Sequence, residues 1–323
     1  MLTIKRYDPT QKLVWDNFLE NCKNGTFLFK RDFMDYHKSR FDDFSIMIYS
    51  DNQLIALVPG NIDLNNVYSH QGLTYGGILI NSDSKFIEYL EIFTKVLTFL
   101  KKNSINNFCV KQIPTIYNLN FNDELDYLSF VTDSENYRKD IISVINLKSK
   151  FKISKDRING YKRGVKNLLE VREVHDFDEF WNELLIPNLS KKYSVTPVHS
   201  LYEIGLLKSR FKSNIRQFNV YKENEIVAGT TIFQTKNVVH VQYTASNSKK
   251  NILGSLDFLF YKLITDIYSN HKYFDFGTSN ERDGKKINQG LLYWKEGFGA
   301  RSLIQNFYKF DVSSIEKIKS LFL

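Results

Sequence analysis

Cysteine is scarce in this chain, which has two, Cys22 and Cys109, among 323 residues. The two stand far apart and form neither a CxxC pair nor a spacing typical of metal ligands. The sequence therefore predicts no disulfide framework and no metal site, and it indicates a reducing compartment.

Long apolar runs are absent as well. No stretch approaches the roughly 18 uninterrupted apolar residues that a membrane-spanning helix needs. The first residues, MLTIKRYDPTQK, carry charge where a signal peptide has an apolar core. We therefore expect a cytoplasmic protein, with at most peripheral contact with the inner face of a membrane.

Several enzyme signatures are missing too. The chain contains no P-loop, GxGxxG, HExxH or GxSxG motif, which removes the usual evidence for P-loop phosphoryl transfer, dinucleotide binding and serine hydrolysis. Acidic residues are the minority, 36 against 44 basic ones, which gives a net charge of +8. That excess suits an anionic ligand, a nucleic acid or an acidic membrane face, and equally an ordinary basic protein.

The length and the order of elements predict two domains. A chain of 323 residues exceeds what one core usually supports. Short strands joined by polar turns, then an amphipathic helix and a further strand, occur twice, with DNQLIAL in one half and ENEIVAG in the other. We predict an α/β (α+β) fold of two tandem domains, each a mixed, mostly antiparallel sheet flanked by helices. The predicted limits are 1–150, 151–312 and a terminal helix, 313–323, that packs back on the first domain.

Two helices are predicted in the second half of the chain. The first is predicted over KISKDRINGYKRGVKNLLEVRE, and it places Lys162 and Lys166 on one face, as a phosphate-binding stripe or a solvated helix surface. The second is predicted around residues 252–267, with Ile252 on its apolar side. The repeated element order is that of the acetyltransferase-type (GNAT) N-acyltransferase fold, whose fourth and fifth strands diverge to admit a thioester donor.

The strand NVVHVQYTAS is predicted to line a site. Strict alternation places His240 and Gln242 on one face and Tyr243 on the other. The following strand ends in a group of polar residues, Asp275, Ser279, Asn280 and Glu281, with Asn288 shortly after. These side chains either form a structural polar network or bind substrate.

Amide formation needs a base for the amine, a donor for the oxyanion and a proton for the leaving group. His240, His199 and Glu281 are the candidate bases, and Tyr243 is a candidate acid. Lys295, set among Trp294 and two glycines, could bind phosphate or stabilise negative charge.

Each of these residues also has an ordinary structural interpretation. His240 could be a core histidine, and His199 could cap the helix after Ser200. Glu281 could neutralise a neighbouring cation, and Lys295 could pair with Glu296 or Glu281.

The segments "YFDFGTSNE", "NQGLLYWKEGFGA", "TPVHSL" and "HVQYTAS" resemble a bacterial family of acetyltransferase-like proteins related to the Fem-type peptidyltransferases. The resemblance covers about 150–310 in sequence and the first half in architecture only. It implies twin acyltransferase domains with the better-formed site in the second, and it implies that Trp294-Lys295 is the aromatic-lysine pair that touches the transferring acyl group. Relatives encoded with surface-polysaccharide genes act on amino sugars carried by a nucleotide or lipid diphosphate.

The donor is less clearly implied. Acetyl-CoA-using members of the wider superfamily carry Gln/Arg-x-x-Gly-x-Gly/Ala at a helix start to hold pyrophosphate, whereas this chain has SKKNILGS, in which only Gly254 fits. Lys249, Lys250 and the backbone N–H groups could still hold phosphate there. Fem-type enzymes lack the motif and use aminoacyl-tRNA.

Three functions follow as hypotheses. The first is N-acyl transfer, most simply from acetyl-CoA, to a diphosphate-linked amino sugar. The second is aminoacyl transfer from tRNA to a cell-wall precursor, although the long helical arm of many tRNA-binding relatives is not predicted. The third is a binding module that has lost its chemistry.

Overall fold

The computed structural model describes residues 2–322, apart from the side chains of residues 192 and 193. The chain forms two compact units. Unit 1 comprises the chain up to Asp140, residues 283–285 and the chain from Ile304 on, and unit 2 comprises Ile141–Arg282 and Lys286–Leu303. The predicted domain limits at 150 and 312 stay predictions.

Unit 1 contains two sheets and a long helix. Its elements are β1 (Leu2–Arg6), α1 (Lys12–Phe18), α2 (Arg31–Met34), β2 (Asp42–Asp43), β3 (Ile46–Ser50), β4 (Gln53–Val58), β5 (Asn61–Asp63), β6 (Asn66–Tyr68), β7 (Leu79–Ile80), α3 (Phe86–Lys102), β8 (Asn107–Lys111), α4 (Glu124–Val131) and the first part of β9 (Glu135–Asn146). Helix α3 buries Leu90, Phe93 and Leu97 at helical spacing, as the sequence predicts. Its core is therefore built around α3.

Unit 2 begins within β9. Its further elements are α5 (Lys155–Lys166), β10 (Leu169–Val174), α6 (Ile186–Tyr193), α7 (Leu201–Arg210), β11 (Ile215–Lys222), β12 (Glu225–Gln234), β13 (Val238–Ser246), α8 (Lys250–Leu253), α9 (Ser255–Lys262), β14 (Tyr273–Thr278), β15 (Asn280–Glu281), β16 (Lys286–Ile287), α10 (Gln289–Glu296) and the start of β17 (Arg301–Asp311). The rest of β17 and α11 (Ile315–Lys319) belong to unit 1, where Ile315 and Ile318 join the core.

The sheet of unit 2 is mixed. Its strand order is β10-β11-β12-β13-β14-β9, and every pair is antiparallel except β13 with β14, which is parallel. In unit 1, β6 and β8 likewise form a parallel pair, and the long helix α3 lies between them in the chain. The prediction of mixed, mostly antiparallel sheets flanked by helices is confirmed for both units.

Helices α5 and α9 of unit 2 approach each other closely at two glycines. A Cβ atom on Gly160 would lie 1.8 Å from Asp257 Oδ2, and one on Gly164 would lie 2.5 Å from Phe258 Cβ. Neither distance is compatible with a side chain, so the contact depends on glycine at both positions. This packing fixes α5 over the first turn of α9.

The predicted helix around 252–267 is interrupted. Gly254 adopts a left-handed conformation, with φ of +71°, and separates α8 from α9. The break changes the direction in which α8 faces, so Leu253 is buried while Ile252 is 75% exposed. The expectation that Ile252 lies on the apolar side is therefore wrong. Among the described residues, no helix is long and apolar enough to cross a membrane.

The glycine contact gives a stability prediction. Gly164→Ala should lower the free energy of unfolding by about 1–3 kcal/mol, because the added methyl group must push α5 away from Phe258. Gly205→Ala is the matched control, since Gly205 lies within α7 and a Cβ there meets nothing within 4 Å. It should raise stability by about 0.5–1 kcal/mol through helix propensity. Equal urea unfolding midpoints for the two variants would contradict the close packing of α5 on α9.

Candidate active site

The parallel strands β13 and β14 separate partway along their length. They pair from Val238 opposite Tyr273 to His240 opposite Asp275, and the described residues form no further pair between these two strands. Beyond that point β13 continues against β12 as far as Ser246, while β14 pairs only with β9. Backbone polar groups on the facing edges are thus free of the ladder over several residues, as the sequence predicts for an acyl-binding gap.

His240 and Asp275 form a hydrogen-bonded pair where the strands separate. Nδ1 of His240 lies 2.8 Å from Oδ2 of the buried Asp275 carboxylate, whose Oδ1 accepts from the Gly277 N–H at 2.7 Å. A carboxylate at Nδ1 favours the tautomer that carries its proton there. The other ring nitrogen, Nε2, is left without a hydrogen-bond partner among the described residues and can accept a proton.

Lys295 lies in the last turn of α10 and is buried, with 4% of its surface exposed. Its Nζ donates to the carbonyl oxygens of Gly277 at 2.9 Å and Thr278 at 2.7 Å. Burial lowers the pKa of Lys295 to about 8, an effect that Asp275 partly offsets. An ammonium has three N–H groups, and two are accounted for by described residues. The salt bridge considered for Lys295 with Glu296 or Glu281 is not formed.

Gly277 is the point where these groups meet. Its φ is +68°, and β14 bulges against β9 between Asp275 and Thr278. The bulge turns two successive carbonyl oxygens toward one ammonium, which the alternating carbonyls of a regular strand do not do. A Cβ on Gly277 would lie 3.4 Å from Cε1 of His240, so the imidazole faces this glycine. His240, Asp275 and Lys295 are therefore assembled around one residue.

Strand β13 does not alternate strictly. Its register against β12 shifts at Gln242, because Thr231 pairs with Tyr243 and Ile232 pairs with Val241. One extra residue in the strand brings His240 and Tyr243 to the same face. The predicted separation of these two side chains onto opposite faces is therefore wrong, because a single bulged residue reverses the alternation.

His199 and Tyr243 form a second pair on that face. Nδ1 of the buried His199 lies 2.6 Å from the Tyr243 hydroxyl, which also accepts from the His199 backbone N–H at 3.3 Å. Burial raises the pKa of Tyr243, so its hydroxyl stays protonated at neutral pH. His199 does not cap α7, since Ser200 and Glu203 form a capping box there.

The Trp294 side chain contacts different groups from those that its neighbour Lys295 contacts. Its ring packs with Phe260, Phe276 and Phe298, and its Nε1 donates to Asp257 Oδ1 at 2.9 Å. Arg157 of α5 donates to the same carboxylate oxygen at 2.6 Å. The contact of Trp294 with an acyl group stays a prediction, whereas its contacts within the fold hold α10 in position.

The polar residues after β14 occupy several places. Glu281 is exposed, and it accepts from Asn288, which caps α10, rather than pairing with Arg282 or Lys285. Asn280 accepts from the Ile141 N–H at 2.7 Å, so it supports β9. The Ser279 hydroxyl is buried and has no partner among the described residues. The structure thus brings His240, Asp275 and Lys295 together, but it does not bring Glu281 into contact with them.

The predicted phosphate-binding residues lie at the surface of α5 and α8. Lys162, Lys166, Lys249 and Lys250 are exposed. Gly254 lies against α5, where a Cβ would come within 2.1 Å of the Gly160 carbonyl oxygen, and Ser255 and Asp257 of the first turn of α9 are buried. A helix start binds pyrophosphate through accessible N–H groups. The start of α9 is covered by α5, whereas Lys249 and Lys250 at the start of α8 are exposed.

Sequence reasoning missed three residues that shape the site. In the sequence, Asp257 and Arg157 are ordinary charged residues on separate helices, and only the hydrogen bonds of Asp257 with Arg157 and Trp294 identify them. Gly277 was visible in the FDFG segment, but its left-handed conformation was not. The described residues contain no group of His, Cys, Asp or Glu side chains arranged to hold a metal ion.

Comparison with known proteins supports the fold. No protein-family model matches the chain, and no curated protein does. The solved structure of FemX is similar, with a TM-score of 0.67 and 10% identity over 96% of this chain and 97% of that one. L-PGS from Bacillus licheniformis aligns with a TM-score of 0.54 and 14% identity over 98% of each chain. A conserved protein of unknown function from Bacteroides thetaiotaomicron VPI-5482 aligns with a TM-score of 0.55 and 12% identity over 96% of this chain and 99% of that one.

These similarities span the whole chain at identities that establish the fold and no more. They cover both units of the chain. The chain therefore has the fold of the FemX structure, with two tandem GNAT-like units.

Proposed function

We propose that this chain is an N-acyltransferase whose reaction takes place where β13 and β14 separate. The observation that carries the proposal is the convergence of the His240–Asp275 pair and the Lys295 ammonium on Gly277. An amine, an acyl carbonyl and these two groups are what aminolysis of an activated acyl group requires.

In this reaction His240 moves the proton and Lys295 binds the oxyanion. The amine nitrogen attacks the acyl carbon, and Nε2 of His240 takes the proton that the amine loses. The carbonyl oxygen becomes an oxyanion, which accepts a hydrogen bond from the third N–H of Lys295. When the bond to the leaving sulfur or oxygen breaks, the His240 imidazolium returns a proton to it. Tyr243 is the alternative proton donor, with its hydroxyl already held by His199.

The acceptor proposed is the amine of an amino sugar on a nucleotide or lipid diphosphate. Support comes from the resemblance to proteins encoded with surface-polysaccharide genes and from the exposed lysines, which suit a diphosphate. With an acyl-CoA donor, the thioester would supply the acyl group and coenzyme A would leave as the thiol. The steps above are the same for any activated acyl group and do not depend on the pyrophosphate of coenzyme A.

A second candidate is aminoacyl transfer from tRNA to a cell-wall precursor. The covered start of α9 favours it, because an aminoacyl ester needs no pyrophosphate pocket. Similarity to the FemX structure is consistent with it.

One prediction concerns Lys295 itself. Lys295→Met keeps the length of the side chain and removes the charged donor, so kcat should fall by about 10²–10³ while the fold persists. Lys236→Met is the matched control, since Lys236 is exposed in the turn before β13, and it should leave kcat unchanged. A Lys295→Met enzyme with full turnover and a native circular dichroism spectrum would remove Lys295 from the mechanism.

A second prediction concerns pH. Lys295 acts in its protonated form, and burial sets its pKa to about 8. Raising the pH through this value removes the charge, so kcat/KM should fall across that range, whereas well below it Lys295 stays charged and gives no dependence. Lys295→Arg keeps its charge at every pH used and should lack the high-pH decline. A kcat/KM that increases through this range would show that the neutral amine is the active form.

A third prediction separates the donors. The protein is offered acetyl-CoA and aminoacyl-tRNA, each with a labelled acyl group, together with UDP-amino sugars and a cell-wall precursor that carries an amine, and products are identified by mass spectrometry. Label should appear in an amide on the acceptor amine. Transfer from acetyl-CoA supports the first candidate and transfer from aminoacyl-tRNA supports the second, whereas His240→Ala should suppress either. Label that never reaches an amine from any donor would contradict acyl transfer to amino sugars.

A further inference from the structure

Unit 2 exposes aliphatic side chains on a basic surface. Leu168 is 82% exposed and Ile252 is 75% exposed, and Val165 on the last turn of α5 is also exposed. Leu168 stands at the tip of the turn between α5 and β10 in a left-handed conformation, with φ of +55°. A leucine in this conformation and so exposed contributes little to the core, which calls for another explanation.

The two segments that carry these side chains are neighbours. Helix α8 packs against α5, and a Cβ on Gly254, directly after α8, would lie 3.1 Å from Cβ of Arg163. We call the surface formed by Val165, Leu168, Ile252 and the exposed lysines of both helices the α5–α8 patch.

The α5–α8 patch is strongly basic. Residues 160–168 and 247–253 together contain Lys162, Arg163, Lys166, Lys249 and Lys250 and no acidic residue. None of the four lysine ammonium groups forms an ion pair with a described residue. Acidic residues border these segments, because Glu223 and Glu225 lie where β11 turns into β12 and Glu225 accepts a hydrogen bond from Asn247.

Exposed aliphatic residues on helices that also carry exposed lysines fit an anionic lipid surface. Such side chains insert at the boundary of headgroups and acyl chains, while each lysine near the surface is attracted to anionic headgroups. Binding of single-stranded RNA relies instead on several aromatic or arginine side chains that stack on bases, whereas this patch has one arginine, Arg163, and its exposed apolar residues are Val, Leu and Ile. The composition of the patch therefore favours lipid over nucleic acid.

The position of the patch relates it to the gap. Strands β13 and β14 are parallel and separate toward their carboxyl ends, and β13 leads at Ser246 directly into the segment of Lys249, Lys250 and Ile252. The segment of Lys249, Lys250 and Ile252 therefore begins at the end where β13 and β14 have separated.

We propose that the α5–α8 patch binds the surface of an anionic membrane, with Leu168 and Ile252 inserted and the lysines against headgroups. This interaction does not depend on the proposed reaction, and it is measured without substrate.

The test is sedimentation of the full chain with vesicles of phosphatidylcholine alone or mixed in equal parts with phosphatidylglycerol. The protein should bind only the mixed vesicles, and added salt should weaken binding. Leu168→Asn combined with Ile252→Gln should weaken it by about tenfold or more. Asparagine tolerates the left-handed conformation, so folding is preserved. Leu64→Asn is the matched control, because Leu64 has φ of +53° and is 86% exposed in unit 1.

Each outcome decides the proposal. Absence of binding to mixed vesicles overturns it, and so does a double variant that binds as well as Leu64→Asn. Replacement of the four lysines by glutamine should remove the salt-sensitive part of binding. If that variant instead loses tRNA binding while the wild-type chain ignores vesicles, the patch is a nucleic-acid surface and the proposal is wrong. Acyl transfer to a soluble amine should be unchanged in the double variant, so failure of vesicle binding and failure of the proposed reaction are distinguishable.

Discussion

The arrangement of the candidate site depends on the hydrogen bonds from the Lys295 ammonium to the carbonyl oxygens of Gly277 and Thr278. A buried charge is costly unless polar groups replace its water, and two carbonyl dipoles do so here. Their arrangement requires the bulge at Gly277, and that bulge lies just beyond the last pair of β13 with β14. The cost of burial also lowers the pKa of Lys295 to about 8, so the group is a charged donor near neutral pH yet close to losing its proton.

Helix α5 links the position of Lys295 to the rest of unit 2. Arg157 and Trp294 both donate to the buried Asp257 carboxylate, which ties α5, α9 and α10 together beside an aromatic cluster. The same close packing covers the start of α9. Helix α5 thereby supports the candidate site and also presents a basic, partly aliphatic surface. These consequences follow from two glycines that admit no side chain.

Much of this architecture could be predicted from the sequence, because strand meanders, the helix periodicity of α3 and the polar end of β14 are local patterns. His240, Asp275 and Lys295 were identified from residue type and position, although their roles remain proposals. The predictions that were wrong depended on the backbone conformation of single residues. The bulge at Gln242 reversed the face of Tyr243, and the left-handed Gly254 turned Ile252 outward. The contact of Asp257 with Arg157 and Trp294 joins residues far apart in sequence, which periodicity cannot show.

The most direct test of the central claim is a crystal structure of the protein with a phosphonate that mimics the tetrahedral intermediate of amide formation. The phosphonate should lie where β13 and β14 separate. One of its oxygens should be within hydrogen-bond distance of Lys295 Nζ, and its amine-derived group should face His240 Nε2. A phosphonate bound elsewhere in unit 2, or strands that close together while the Lys295 ammonium makes no contact with the ligand, would contradict it.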